Sequence, residues 1–189
     1  MQTAVIGTAG RRDDQQKITA DHFDFMCGYA LQHLENTDCI SGGAAWADHV
    51  AVVLFNAGYL NSLTLALPCN FVNDCFEGRE FRSPGSTANY YHRLFTQKRG
   101  KDSLSEIATA IKNGAHTKVY NGFFARNSRV AQAQDLLIAF TFGTKTDTYY
   151  PGQPGYINAG QAGLKDGGTA HTWDKSHALT KMHVNLHNI

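Results

Sequence analysis

The sequence predicts an α/β fold in which helices cover both faces of a mainly parallel β-sheet. Short apolar segments alternate along the chain with longer segments whose apolar residues recur at helical spacing. The short segments lack the strict one-in-two alternation of a half-exposed strand, which indicates strands that are buried on both faces. Parallel strands need crossover connections, and the helical segments between them supply these.

The predicted strands are short apolar runs that end at turns rich in glycine or proline. The turn at residues 7–10 follows the first run, residues 41–43 follow the second, and Pro68 follows the third. The five predicted strands are residues 4–6, 39–40, 63–67, 136–140 and 182–186.

The predicted helices carry apolar residues three or four positions apart, which places those residues on one face. Gly58 follows the second long helix, as is typical of a residue that caps a helix C-terminus. The predicted helices are residues 18–34, 47–57, 86–97 and 103–112, a segment rich in Ala and Gln that begins near 124, and residues 170–179.

Two segments interrupt this alternation. Residues 70–120 contain two of the predicted helices and are interpreted as an insertion or lid, and residues 144–166 are rich in glycine and tyrosine. A chain of 189 residues has room for one compact core. We therefore expect a single domain over residues 1–189 that carries both insertions.

Composition and charge disfavour several classes of protein. A hydrophobic content of 42% argues against disorder, and a formal net charge of +1 disfavours a nucleic-acid partner. No segment approaches the roughly 20 apolar residues of a membrane span, and no export signal is visible. We expect a cytoplasmic protein without a membrane partner. The cysteines lack CxxC spacing and the histidines lack HExxH spacing, so we expect reduced thiols, no metal and no cofactor.

Three glycine-containing loops follow predicted strands or open predicted helices. Backbone N–H groups in such loops can bind phosphate without interference from a side chain. Tight turns with no ligand are the alternative interpretation, and Ser41 could act as a helix cap or as a hydroxyl donor. The candidate ligand-binding residues in these loops are Gly7, Thr8, Gly10, Arg11, Ser41, Gly42, Gly43, Gly167, Gly168, Thr169 and Thr172.

A fourth candidate position lies at the start of the helix that leads into strand 136–140. Arg126 and Asn127 occupy it. A guanidinium at the mouth of a crevice can bind phosphate or carboxylate through two parallel hydrogen bonds. Arg126 is therefore the strongest single candidate for a ligand contact.

Four motifs carry a resemblance to a known family. They are GTAGR at residues 7–11, SGGAAWAD at 41–48, RNSRVAQAQDLLIAF at 126–140 and DGGTAHTW at 166–173. Together they resemble the SLOG superfamily, which includes the lonely-guy phosphoribohydrolases and DNA-processing protein A. The resemblance covers residues 1–68 and 122–186. It implies a three-layer Rossmann-like fold, a nucleotide or nucleotide derivative bound at the strand ends, and a homo-oligomer.

Within these motifs, Asp48 joins the candidate ligand-binding residues. Trp46 stands where the family has a glycine, and it could fill part of the pocket or supply a stacking face. Aromatic residues for base stacking could also come from the two inserted segments; the candidates are Tyr90, Tyr91, Tyr149, Tyr150 and Tyr156.

The hydrolase branch of the family uses an arginine and a glutamate to cleave the bond between base and ribose. By resemblance, Arg126 and Asp174 are the candidate catalytic residues. Asp174 is shorter than the family's glutamate, and a long insertion precedes the third glycine loop. Asp174 could equally be a surface residue of the helix, and His171 is a further candidate contact.

The loops, the arginine and the resemblance together leave two candidate functions. One is a protein that binds a nucleotide-like small molecule and hydrolyses its N-glycosidic bond. The other is a non-catalytic protein that senses or sequesters a nucleotide signal, such as a derivative of ADP-ribose. Nucleic-acid processing, as in DNA-processing protein A, is the weakest hypothesis because basic residues are few and local.

Overall fold

A seven-stranded β-sheet forms the centre of the protein in a computed structural model that describes residues 1–78, 80–152, 156–165 and 167–189. Two further short strands form a separate hairpin. In chain order the strands are β1 (Gln2–Gly7), β2 (Asp38–Ser41), β3 (Ser62–Leu67), β4 (Phe71–Val72), β5 (Cys75–Phe76), β6 (His116–Val119), β7 (Leu136–Thr141), β8 (Asp147–Tyr149) and β9 (Thr180–Asn185).

The order of the strands places the start of the chain in the middle of the sheet. The order is β6-β3-β2-β1-β7-β9-β8, and every neighbouring pair is parallel except β8 with β9. Successive strands run outward from β1 to one edge, and the chain then returns to β7 on the other side of β1. The boundary between β1 and β7 is therefore the topological switch point, where open α/β sheets form a crevice at the carboxyl ends of their strands.

The helices are α1 (Asp14–Lys17), α2 (Ala20–Leu34), α3 (His49–Asn56), α4 (Pro84–Arg99), α5 (Ser103–Lys112), α6 (Phe123–Val130) and α7 (Gly168–Lys175). Side-chain caps begin three of the longer ones, because Thr19, Ser83 and Asp102 accept hydrogen bonds from backbone N–H groups of the first turn. Gly100 ends α4 in the left-handed conformation.

The helices divide between the two faces of the sheet and form two apolar layers. Helices α2 to α5 pack on one face, where Phe23, Phe95 and Ile107 are fully buried. Helices α6 and α7 pack on the other face around Trp173. The predicted three-layer Rossmann-like α/β fold is confirmed. None of the described helices is long and apolar enough to cross a membrane.

Residues 70–120, interpreted from the sequence as an insertion or lid, contribute to the central sheet and its core. Helices α4 and α5 contribute buried Phe95, Ile107 and Ala110 to the core, and β6 pairs in parallel with β3. The segment is thus the crossover between two neighbouring strands. Strand β6 has no apolar run because all four of its residues are exposed at the sheet edge, which explains why the sequence pattern does not predict it.

Residues 144–166 also contribute to the fold in their described part. They form β8, which adds an antiparallel edge to β9, and they pack Ala162 and Leu164 against the second apolar layer. Helix α7 ends at Lys175, short of the predicted residue 179, because Ser176 adopts an extended backbone. Strand β9 then begins at Thr180, two residues before its predicted start.

A buried histidine joins α4 to the second glycine loop. His92 has no exposed surface; its Nε2 lies 3.0 Å from the carbonyl oxygen of Gly43, and its Nδ1 lies 2.9 Å from Oγ of Ser103. A carbonyl can only accept, so Nε2 carries the proton and donates to Gly43. Burial lowers the pKa of His92 to about 3, which keeps the ring neutral.

This contact predicts a specific loss of stability in acid. In the unfolded chain His92 gains its proton near pH 6.5, whereas in the folded protein it does so near pH 3. The stabilisation is therefore complete above pH 6.5 and is lost as the pH falls towards 3, at about 1.4 kcal/mol per pH unit. Urea unfolding at pH 7.5 and at pH 5 should show a smaller loss for His92→Gln than for the wild type.

The matched control is His116→Gln, because His116 is exposed on β6. This variant should keep the pH dependence of the wild type. Identical pH dependence in His92→Gln and the wild type would contradict the assignment of a neutral, proton-excluding His92.

Candidate functional site

A cleft of about 340 Å³ opens at the switch point of the sheet. The ends of β1 and β7 form its floor, and the starts of α6 and α7 form one wall. Ten of the candidate ligand-binding residues line it: Gly7, Thr8, Arg11, Asp48, Arg126, Asn127, Gly167, Gly168, Thr169 and Thr172. The structure therefore brings the first loop, the third loop and the Arg126 position together.

The first glycine loop is held in place by a threonine and an aspartate. The hydroxyl of Thr8 donates to Asp14 at 2.7 Å and accepts from the backbone N–H of Gly10 at 3.1 Å. Gly10 itself lies behind the cleft against the indole ring of Trp46. Gly10 thus shapes the loop and does not line the cleft.

The second glycine loop supports the cleft from beneath. Ser41 is fully buried; its hydroxyl donates to the carbonyl oxygen of Asp48 at 2.7 Å and accepts from the N–H of Gly43 at 3.1 Å. Ser41, Gly42 and Gly43 do not line this cleft; Gly42 and Gly43 line a smaller pocket that shares Arg11, Phe123 and Arg126 with it.

An ion pair between Arg126 and Asp48 lies against that second loop. Nη1 of Arg126 and Oδ2 of Asp48 are 2.6 Å apart, and the two side chains are only 8% and 7% exposed. A β-carbon on Gly42 would lie 1.6 Å from Nη1 of Arg126 and 2.5 Å from Oδ2 of Asp48. Only glycine leaves room at residue 42 for the pair.

Burial of Asp48 and its pairing with Arg126 shift the pKa of the Asp48 carboxyl in opposite directions. Burial raises the pKa of the Asp48 carboxyl, and the charge of Arg126 and its hydrogen bond counteract part of that rise. Nε of Arg126 is buried and has no hydrogen-bond partner among the described residues. An unpartnered buried donor costs free energy. The guanidinium of Arg126 as a whole lines the cleft.

Two helices begin at the cleft without side-chain caps. Their N-cap residues are Gly122 for α6 and Gly167 for α7, and neither helix has a capping hydrogen bond from a side chain in the described part of the chain. Helix α7 is tied to β1 because the hydroxyl of Thr169 donates to the carbonyl oxygen of Gly7 at 2.8 Å. Asp166, the first residue of the third loop motif, lies outside the described residues.

Several residues that line the cleft belong to none of the four motifs, and none of them is a candidate from the sequence. Lys165 comes from the second inserted segment, and its Nζ lies 2.6 Å from Oδ1 of Asp14. Phe123 and Phe124 supply aromatic surface, and Phe124 is 69% exposed. Two adjacent phenylalanines just before the candidate arginine were a usable signal in the sequence, whereas the position of Lys165 depends on the path of the insertion.

Asp174 lies outside the cleft. It is exposed near the C-terminal end of α7, and its Oδ1 accepts a hydrogen bond from the backbone N–H of Ala159 at 2.6 Å. The residues inserted before α7 pack against this part of the helix and engage the carboxylate. The structure therefore does not place Asp174 with Arg126 as the predicted catalytic pair.

The aromatic candidates from the sequence also lie outside the cleft. Trp46 is 2% exposed and packs on Phe95 with ring centroids 4.5 Å apart, so it fills core space and offers no stacking face. Tyr149 is buried against Trp173. Tyr91 stacks under Arg11 at 4.9 Å, and Tyr90, Tyr150 and Tyr156 do not line the cleft either.

His171 lies beside the cleft and does not line it. Its ring contacts Phe124 edge-on with centroids 5.3 Å apart, and its Nε2 is buried without a partner among the described residues. Across those same parts of the chain, no group of three histidine, cysteine, aspartate or glutamate side chains is arranged to hold a metal ion.

Sequence comparison relates the whole chain to a viral protein. The chain is 34% identical over 193 residues to uncharacterized protein R261 of Acanthamoeba polyphaga mimivirus, an alignment that covers 97% of this chain and 94% of the viral protein. The chain belongs to the R261 family. No family model matches the chain, and no solved structure matches it.

In this member of the R261 family, removing one partner of the buried ion pair should be costly. Arg126→Met leaves the Asp48 carboxylate buried without its partner, and such a change typically costs about 3–5 kcal/mol. Urea unfolding at pH 7.5 should show that loss. The double variant Asp48→Asn/Arg126→Met should be more stable than Arg126→Met alone, because it also removes the buried charge.

The matched control is Arg129→Met, one turn further along α6, where the arginine bonds to Gln132 and does not line the cleft. It should cost less than about 1 kcal/mol. A double variant no more stable than Arg126→Met would contradict the expectation that an unpaired buried carboxylate causes the loss.

Proposed function

We propose that the protein binds a nucleotide or a nucleotide-derived ligand in the cleft at the switch point. In this arrangement the phosphate group lies over the starts of α6 and α7, beside Arg126. The nucleoside part extends along the aromatic surface of Phe123 and Phe124.

The observation that carries the proposal is that two helix N-termini and one arginine, all of which attract anions, converge on one cleft. Two eight-residue helices begin there with glycine N-caps and no side-chain caps in the described part of the chain. The N-terminus of a helix carries about half a positive charge and free N–H groups, which favours anions. The third feature is Nε of buried Arg126, which has no partner among the described residues. A phosphate group has several acceptor oxygens, which suit the two helix starts and the Arg126 guanidinium.

The remaining surface of the cleft is compatible with a small organic anion. A volume of about 340 Å³ lies at the lower end of the range for small-molecule pockets. Arg11 stacks between Tyr91 and Phe123 at 4.9 and 5.1 Å, which holds a second guanidinium at the mouth. Phe124 projects into solvent and provides a face on which a base can stack.

Hydrolysis of the N-glycosidic bond is the second candidate function. The observation that favours it is the buried Asp48 carboxyl in the cleft, whose pKa is raised. A buried carboxyl with a raised pKa in a cleft is characteristic of catalytic groups. In such a reaction water adds to the anomeric carbon as the bond to the base breaks; the attacking water loses one proton and the leaving base gains one, so the products are the free base and the sugar hydroxyl. The Asp48 carboxylate would stabilise the positive charge that develops on the sugar, and Arg126 would hold the phosphate group.

The binding proposal predicts a selective effect of Arg126. Isothermal titration with AMP should detect binding to the wild type, and Arg126→Gln should weaken it by about 10- to 100-fold because a charge-assisted contact is lost. Arg126→Lys should recover part of the affinity. Arg129→Gln, on the same helix but outside the cleft, should bind as the wild type does.

Unchanged AMP affinity in a folded Arg126→Gln variant would reject this cleft as the phosphate site. Inorganic phosphate should compete with AMP if the phosphate group supplies the main contact.

The two candidate functions differ in the release of free base. Chromatography of AMP or NAD incubated with the protein would detect the base. Asp48→Asn should abolish release and retain binding if the protein is a hydrolase. Tight binding with no release from either compound would favour the sensing or sequestering function.

A further inference from the structure

A threonine and a histidine form a hydrogen-bonded pair at the floor of the cleft. Thr141 ends β7 and lines the cleft, and His183 lies beside it on β9. Oγ1 of Thr141 is 2.7 Å from Nε2 of His183. Nδ1 of His183 is 3.1 Å from the carbonyl oxygen of Ala162. None of the motifs in the sequence includes this pair.

The carbonyl of Ala162 determines which ring nitrogen carries the proton. A carbonyl oxygen can only accept a hydrogen bond, so Nδ1 of His183 must be the donor. Burial lowers the pKa of His183, the bond to Ala162 acts in the opposite direction, and the charge of Lys145 lowers it further. The ring is then neutral at pH 7, and Nε2 is left with a lone pair.

The polarity of Thr141 follows from that tautomer. Its hydroxyl hydrogen donates to Nε2 of His183, and this leaves only oxygen lone pairs for the cleft. The pairing of Gly7 with Phe140 places Thr8 next to Thr141, and the hydroxyl of Thr8 likewise donates inward, to Asp14. This part of the floor can therefore accept hydrogen bonds from a ligand and cannot donate them from either hydroxyl.

We propose that Thr141 is a specificity-determining residue that accepts a hydrogen bond from a donor group on the nucleoside part of the ligand, and that His183 is the positioning residue that sets this polarity. The inference rests on the proposed function and extends it. The donor is either a ribose hydroxyl or an amino group of the base. A phosphate dianion has no proton to offer and gains no hydrogen bond from either of these two hydroxyls.

The cleft then contains two sets of groups of opposite hydrogen-bonding character. The starts of α6 and α7 and the guanidinium of Arg126 offer donors, which suit a phosphate. The threonine hydroxyls offer acceptors, which suit a sugar or an amino group. A ligand that carries both kinds of group is thereby held in one orientation.

Titration calorimetry with AMP, 2′-deoxy-AMP, 3′-deoxy-AMP and IMP tests this inference on the wild type. The analogue that lacks the critical donor should bind about 5- to 10-fold more weakly than AMP. A loss with either deoxy compound identifies a sugar hydroxyl as the donor. A loss with IMP alone identifies the amino group. Equal affinity for all four compounds would overturn the inference.

Variants of Thr141, measured with the same ligands, complete a double-mutant cycle between the protein and the ligand. Thr141→Val should bind AMP about 5- to 10-fold more weakly than the wild type and should not distinguish AMP from the critical analogue. Thr141→Ser, which keeps the hydroxyl, should restore the distinction. Thr180→Val is the matched control, because Thr180 lies at the opposite end of β9 outside the cleft. Retained discrimination in Thr141→Val would also overturn the inference.

The positioning role of His183 is tested by measuring the same ligand affinities on His183→Gln. In His183→Gln the amide can donate to Thr141, which frees the hydroxyl hydrogen to face the cleft. The ratio of AMP affinity to analogue affinity should then fall towards one, while competition by inorganic phosphate stays unchanged. A purely structural role would weaken both ligands together and leave that ratio as in the wild type.

The two proposals can fail separately. If AMP binds and its affinity depends on Arg126, but none of the analogues differs from AMP, only the inference about Thr141 fails. If the wild type binds none of the four nucleotides, the proposed function fails as well. Since the analogue series uses the wild-type protein, the test stands even if a Thr141 variant does not fold.

Discussion

The buried ion pair between Arg126 and Asp48 is the contact on which the geometry of the cleft depends. It joins α6, on one face of the sheet, to the turn that precedes α3, on the other. Two charges withdrawn from water are tolerated only where each satisfies the other. Gly42 leaves the space for the pair, and Ser41 fixes the backbone of Asp48 by accepting from Gly43 and donating to the Asp48 carbonyl.

A second set of contacts joins the second glycine loop, against which the ion pair lies, to helix α4 and the apolar core. His92 on α4 donates to the carbonyl of Gly43, and α4 packs through Phe95 against Trp46 and Phe23. The helices of residues 70–120 therefore hold the second glycine loop from behind. This connects the position of Arg126 to apolar packing on the far side of the sheet.

The cleft combines fixed positive groups with fixed acceptors. Helix starts cannot change their charge, and the tautomer of a buried histidine that faces a carbonyl cannot change without the loss of a hydrogen bond. Both features are set without a ligand, so a ligand of the proposed kind would bind with little reorganisation. Such preorganisation is what a protein needs to recognise a small anion in one orientation.

The order of strands and helices was accessible from the sequence because it depends on local patterns. Apolar runs at residues 4–6, 39–40, 63–67 and 136–140 end in turns, and each became a strand at the centre of the sheet. Strands β6 and β8 were missed because β6 is exposed along its whole length and β8 has one buried residue, so neither contains an apolar run. The grouping of Gly7, Arg126 and Gly168 was predictable because carboxyl ends of parallel strands meet at one edge.

By itself the sequence determined the fold class, the succession of the central strands along the chain and the loops that approach one another. Only the tertiary structure decided which side chains face the cleft. Asp174 was matched by spacing, but the inserted residues before α7 engage it elsewhere, and Asp48 lies with Arg126 instead. The physical reason is that the direction of a side chain depends on packing and hydrogen bonds between segments far apart in the chain. Spacing within one segment contains no information about such partners.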